Sequence, residues 1–124
     1  MLMQIGLLND DREGSRKLLE KIKHVSIIMA SDFKNLEDLS ELIGWIKNLY
    51  TKEFKLWEPL MAVDQKGGNV ARIKEINYPS SNYALGLIDN ENISYYSSAI
   101  TGMELHNLGF HWDLAPVLDV LSNK

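Results

Sequence analysis

Apolar residues recur in two rhythms along this chain, and their alternation predicts its elements. Leu18, Leu19 and Ile22 fall at helical spacing, with Arg16, Lys17, Lys21 and Lys23 on the remaining face. This predicts a short surface helix over 15–23, its basic side solvated. Val25 to Ala30 is an apolar, β-branched run of strand length. From Leu36 the 3.6-residue period returns through Leu39, Leu42, Ile43, Ile46 and Leu49, and predicts a helix over 36–50. Asn35 is placed to cap it, and Glu37, Asp38 and Glu41 put negative charge where the helix dipole favours it. Trp57 to Val63 supplies a second strand, whose last five residues, Pro59 to Val63, suit burial on both faces. Ile93, Tyr96, Ile100, Met103 and Leu108 mark a helix over 92–108, with Asn90 or Asn92 as cap and Gly109 as a left-handed stop. Trp112 to Val120 reads as a third strand. Residues 74–90, with Pro79, Ser80, Ser81, Asn82 and Gly86, carry no such rhythm and predict an irregular connection, either a functional loop or a surface crossing.

The order β-α-β-α-β, with strands that are apolar almost throughout, predicts an α/β fold with parallel strands and right-handed crossovers. A length of 124 residues suits a single domain over 1–124. Hydrophobic residues at 45 % and charged residues at 24 % are globular values, and no apolar run approaches the ~20 residues needed to span a bilayer. The start, MLMQIGLLNDDREG, lacks a basic region before its short apolar run, so a cytoplasmic location is expected. With no cysteine there are no disulfides, thiolate nucleophiles or zinc-thiolate sites. A formal net charge of −4 gives no field suited to a phosphate backbone, so neither a nucleic-acid nor a membrane partner is expected. No metal-ligand spacing or phosphate loop is present, and no cofactor is expected.

Candidate chemistry concentrates in Ala62 to Ile73, reading AVDQKGGNVARI. Asp64 is the first ionisable residue after the buried run, which places it at a strand's carboxyl end. Gly67 and Gly68 allow a tight turn or a close backbone approach, and Arg72 lies near enough to return to the same pocket. A carboxylate that accepts hydroxyl hydrogens, beside a guanidinium that donates a planar fork, suits a hydroxyl-rich ligand such as a sugar. The same pattern also serves as an ordinary structural turn. Asp119 stands at the far end of the third predicted strand, either as a ligand contact or as a carboxylate holding loop backbone groups together. Asp113, near that strand's start, is expected to be structural, as are His24, His106 and His111.

AVDQKGGNVARI closely resembles the AVDxEGGxVxR segment of the glycoside hydrolase family 3 amino-terminal domain, in its β-N-acetylhexosaminidase branch. LGFHWDLAPVLDVLSN, beginning at Leu108, resembles that family's next strand, and SIIMASDFKNLEDL, beginning at Ser26, its first strand and helix. The three matches stand in the family's order and cover about residues 22–124. Lys66 and Asn69 stand where the family usually has Glu and Arg; Val25-Ser26 and Ser31-Asp32 also depart from it. Lys66 reverses a charge beside Asp64.

The resemblance implies the amino-terminal part, about three βα units, of a TIM-type (β/α)8 barrel, which in full takes about 250 residues. It also implies retaining hydrolysis of O-glycosidic bonds, in which one carboxylate attacks the anomeric carbon and a second group protonates the leaving oxygen. In the hexosaminidase branch the nucleophile is an Asp on a late strand and the proton donor a His in a loop after a middle strand, and these 124 residues match neither segment. The chain is therefore expected to hold part of a sugar-binding face, Asp64, Arg72 and Asp119, with no catalytic residue, and to be inactive alone. The alternative is a non-catalytic sugar-binding or structural module. Three parallel strands left open would expose unpaired edges, so a homo-oligomer or a second chain that completes the barrel is the expected protein partner, beside an N-acetylglucosamine-type carbohydrate.

Overall fold

In the computed structural model, which describes residues 2–4, 11–23, 26–29, 33 and 35–119, four short strands form one parallel sheet. They are β1 (Leu2–Gln4), β2 (Ser26–Met29), β3 (Met61–Val63) and β4 (Trp112–Asp113), hydrogen-bonded in the order β1-β2-β3-β4. The register aligns Gln4 with Ile28, Ile28 with Ala62, and Ala62 with Trp112. Helix α1 (Arg12–Ile22) connects β1 to β2, and α2 (Leu36–Asn48) connects β2 to β3. Helices α3 (Asn82–Ile88) and α4 (Glu91–Leu108) lie between β3 and β4. Spatial order follows chain order among these strands, without the reversal that marks a doubly wound sheet.

The start of α2 is as expected. Asn35 Oδ1 accepts from the Asp38 N–H at 2.7 Å to open α2. Asp11 does the same for α1 through the Gly14 N–H at 2.8 Å, so that helix begins at Arg12, three residues before Ser15. Inward residues of α1, α2 and the strands meet in one core: Leu19, Ile27, Leu39, Ile46, Met61 and Val63 are all fully buried. Helix α2 runs on into a π-helical turn, Leu49–Glu53, whose Leu49 and Tyr50 also enter this core. The Tyr50 hydroxyl is buried there without a hydrogen-bond partner, and burial pushes its pKa up.

Four expectations are corrected. Strand β1 was not expected, because three residues show no period and only pairing with β2 defines them; the strand expected first is β2. Residues 74–90 are not irregular throughout. Ser81 Oγ accepts from the Ala84 N–H at 3.0 Å and starts α3, which ends at Asp89 in a left-handed conformation. Helix α3 buries no residue, so it leaves no apolar stripe to read in the sequence. The run from Trp57 is strand only from Met61, and Trp57 itself is 94 % exposed. Of the strand predicted over 112–120, whose last residue, Val120, lies outside the described residues, only Trp112 and Asp113 pair among the described ones, with Ala62 and Val63 of β3.

Of the stripe that marks α4, only Leu108 packs against the core. Thr101 and Leu105 are its buried residues, whereas Ile93, Tyr96, Ile100 and Met103 lie open to solvent. Gly109 ends α4 at φ 99°, as the left-handed stop requires. No helix among the described residues is long and apolar enough to cross a membrane.

Candidate functional site

Parallel strands in register bring their carboxyl ends to one edge, and two carboxylates meet there. Asp64 follows Val63, the last residue of β3, and Asp113, paired with Val63, is the last residue of β4. Asp113 therefore lies at the strand's end, not near the start of a long one. Its Oδ1 accepts from the Gln65 N–H at 2.9 Å, which fixes the first step of the loop after β3.

Gln65 organises the rest of that loop. The side chain is 2 % exposed, and its Oε1 accepts from the backbone N–H groups of Arg72 at 2.7 Å and Ile73 at 3.0 Å. Its Nε2 donates to the Ile73 carbonyl at 2.9 Å. One amide thus closes the ends of the segment 65–73 on each other and returns Arg72 to the strand end. Between them Gly67 and Val70 form a two-way backbone bridge, both N–H to O distances 3.1 Å. Gly67 and Gly68 have φ of 83° and 56°, and Gly68 N–H donates to the Pro79 carbonyl at 3.2 Å. Both glycines answer a positive φ and a close approach of the 79–80 backbone together.

Asp64 is held between two cations. Arg72 Nη2 lies 3.5 Å from Oδ2, and Lys66 Nζ lies 2.5 Å from Oδ1. Oδ1 is closed off from solvent and makes no hydrogen bond, so its contact with Lys66 is ionic. The Asp64 side chain is 18 % exposed, against 31 % for Lys66. A cleft of about 200 Å³ opens beside Lys66, lined in part also by Gln65, Asn82, Ser98, Thr101 and Asp113.

Burial pushes the Asp113 carboxyl above the usual carboxylate range, and the charge of Asp64 adds to the shift, while the Gln65 and Leu114 N–H groups and Lys66 oppose it. The folded state thus binds this proton more tightly than the unfolded chain does. The resulting stability is fully present below the unfolded carboxylate value of about 3.9 and is lost as pH rises through the raised, folded value. Asp113→Asn keeps an acceptor for Gln65 and has no charge to bury. Its melting temperature is expected to gain on the wild type as pH rises from 3 to 7; thermal scans across that range in which it falls behind would refute the assignment.

Of the three residues expected to bind sugar, the structure brings Asp64 and Arg72 together. Asp119 lies exposed, six residues past the end of β4, and makes no hydrogen bond or ion pair among the described residues. His111 is structural: its Nδ1 accepts from the Met61 N–H at 3.1 Å and its own N–H donates to the Met61 carbonyl at 2.8 Å, tying β4 to β3. His106 lies in the last turn of α4, and His24 lies outside the described residues. Gln65 was not singled out in the sequence, although an amide directly after a buried run and before a Gly-Gly turn is a polar group in need of buried partners. No group of three or more His, Asp and Glu among the described residues could hold a metal.

Residues 2–124 match the family described as glycosyl hydrolase family 3 N terminal domain, a longer match than the 22–124 expected, and one that takes in β1. The chain is also similar to the beta-hexosaminidase A of Pseudoalteromonas piscicida, at 27 % identity over 103 residues. That alignment covers 79 % of this chain and 17 % of the relative, so the chain spans less than a fifth of the curated protein it matches.

Proposed function

Since the chain belongs to the glycosyl hydrolase family 3 N-terminal domain family, we propose that Asp64 and Arg72 form a sugar-binding corner of β-N-acetylhexosaminidase type. The observation that supports this most is their pairing at the carboxyl end of β3, with Gln65 fixing the loop between them. Carboxyl ends of parallel strands are where α/β barrels bind ligands, and an unreversed strand order suits the start of such a barrel. Asp64 accepts sugar hydroxyl hydrogens, and Arg72 orients the carboxylate and donates to the ring substituents. The proposal gives the described residues a binding role and no catalytic one.

A second reading, a non-catalytic structural module, draws on Lys66, which stands where the family usually has Glu and is seated on the carboxylate a sugar would need. Two assays test these readings: sugar binding separates them from each other, and hydrolysis tests the absence of catalytic groups. Titration with N-acetylglucosamine, followed by Trp112 fluorescence next to Asp113, should give a dissociation constant on the order of 1 mM, weakened about tenfold or more in Asp64→Ala. Equal binding by that variant removes Asp64 from the site. Release of p-nitrophenol from a p-nitrophenyl N-acetylglucosaminide by the purified 124-residue chain would contradict a purely binding role.

A further inference from the structure

A carboxylate that is to accept hydroxyl hydrogens must show its oxygens to the ligand, and Asp64 shows one of its two poorly. Oδ1 is sealed from solvent beneath the Lys66 ammonium, two residues along the same loop. The seal is removable. Lysine carries a compact charge on a flexible four-carbon stem, and this one is 31 % exposed and lines a cleft that Asp113 lines as well. Among the described residues, the carboxylates near this ammonium are Asp64 and Asp113, with Arg72 on the far oxygen of Asp64. An ammonium lifted from Asp64 therefore has a second carboxylate to turn to. Asp113 Oδ1 accepts from the Gln65 N–H, and the Asp113 charge already interacts with that of Lys66.

We propose that Lys66 sets the affinity of the Asp64 corner: a hydroxylated ligand must take Oδ1 from the ammonium, which turns to Asp113. The inference rests on the sugar-binding reading of that corner and deepens it. Affinity for a neutral sugar is then the difference between two arrangements of one cation. In the first, Lys66 neutralises Asp64 and competes with the sugar; in the second it pairs with Asp113 and leaves Asp64 to the ligand. Asp113 thereby acts on binding without touching the sugar, as a positioning residue for Lys66.

The test is a double-mutant cycle read by calorimetric titration with N-acetylglucosamine. Lys66→Met keeps the stem and removes the competing charge, and is expected to bind about tenfold tighter than the wild type; Lys66→Ala, with the stem removed as well, should also bind tighter. Asp113→Asn is expected to bind about threefold more weakly in the wild-type background and to have no effect once Lys66 is Met. Binding by Lys66→Met equal to or weaker than wild type, while Asp64→Asn still abolishes it, overturns the role of Lys66 and leaves the sugar-binding corner standing. An Asp113→Asn effect of the same size in both backgrounds also overturns it. Undiminished binding by Asp64→Asn removes the corner and this inference together.

Discussion

Gln65→Leu is expected to cost about 4 kcal/mol of folding stability, because it leaves two N–H groups and one carbonyl near the core without partners at about 1–3 kcal/mol each. A domain this small has about 5–15 kcal/mol in total, so the loss is a large share of it. Leucine is close to glutamine in volume and leaves no large cavity, so the cost falls on the hydrogen bonds. Gln65→Glu is the informative comparison: its carboxylate still accepts from Arg72 and Ile73, but it cannot donate to the Ile73 carbonyl and carries a buried charge. Urea unfolding should place both variants below the wild type, with the Leu midpoint far below it. A Leu variant within about 1 kcal/mol of wild type would show that the loop finds its register without this amide.

Gly67→Val should cost about 3 kcal/mol for two independent reasons. The backbone at φ 83° disfavours a β-branched residue, and a Cβ there would stand well inside van der Waals contact of the Pro79 carbonyl oxygen. The turn cannot relax alone, since Gly68 N–H is tied to the same carbonyl. Gly44→Ala is the control. Gly44 lies inside α2, a Cβ there meets nothing within 4 Å, and the change should stabilise by about 0.5–1 kcal/mol. Thermal melts of the two variants should therefore shift in opposite directions. A Gly67→Val protein that melts with the wild type would mean that the 67–70 bridge and the 79–80 segment are not held as described.

Which parts of this corner could be read in the sequence follows from how local their causes are. Helix α2 and its Asn35 cap were legible because period and cap chemistry both act within a turn. Asp64 at a strand exit and the Gly-Gly turn were legible for the same reason. Strand β1 and the true length of β4 were not, since each is defined by how many residues its neighbour offers, which no period in the strand itself records. Asp113 was misplaced by that error alone: nine predicted strand residues put it at the start, and two observed ones put it at the end, beside Asp64. Gln65 acts on Arg72 and Ile73, seven and eight residues away, through a loop whose path only the closed structure shows. The α4 stripe was legible as helix, but its period could not tell an inward face from an open one. Residue chemistry pointed to a hydroxyl-rich ligand and family resemblance narrowed it to an N-acetylglucosamine-type sugar; the match over 2–124 upholds the family while the sugar remains the proposal.

The central claim is that the loop after β3 is where a sugar binds, and amide chemical-shift mapping during titration with N-acetylglucosamine tests it most directly. Saturable shifts are expected at residues 64–73 and at Asp113, next to the strand end they share, and should be lost in Asp64→Asn. Shifts confined to α3 and the start of α4, or none at concentrations well above about 1 mM, would contradict it.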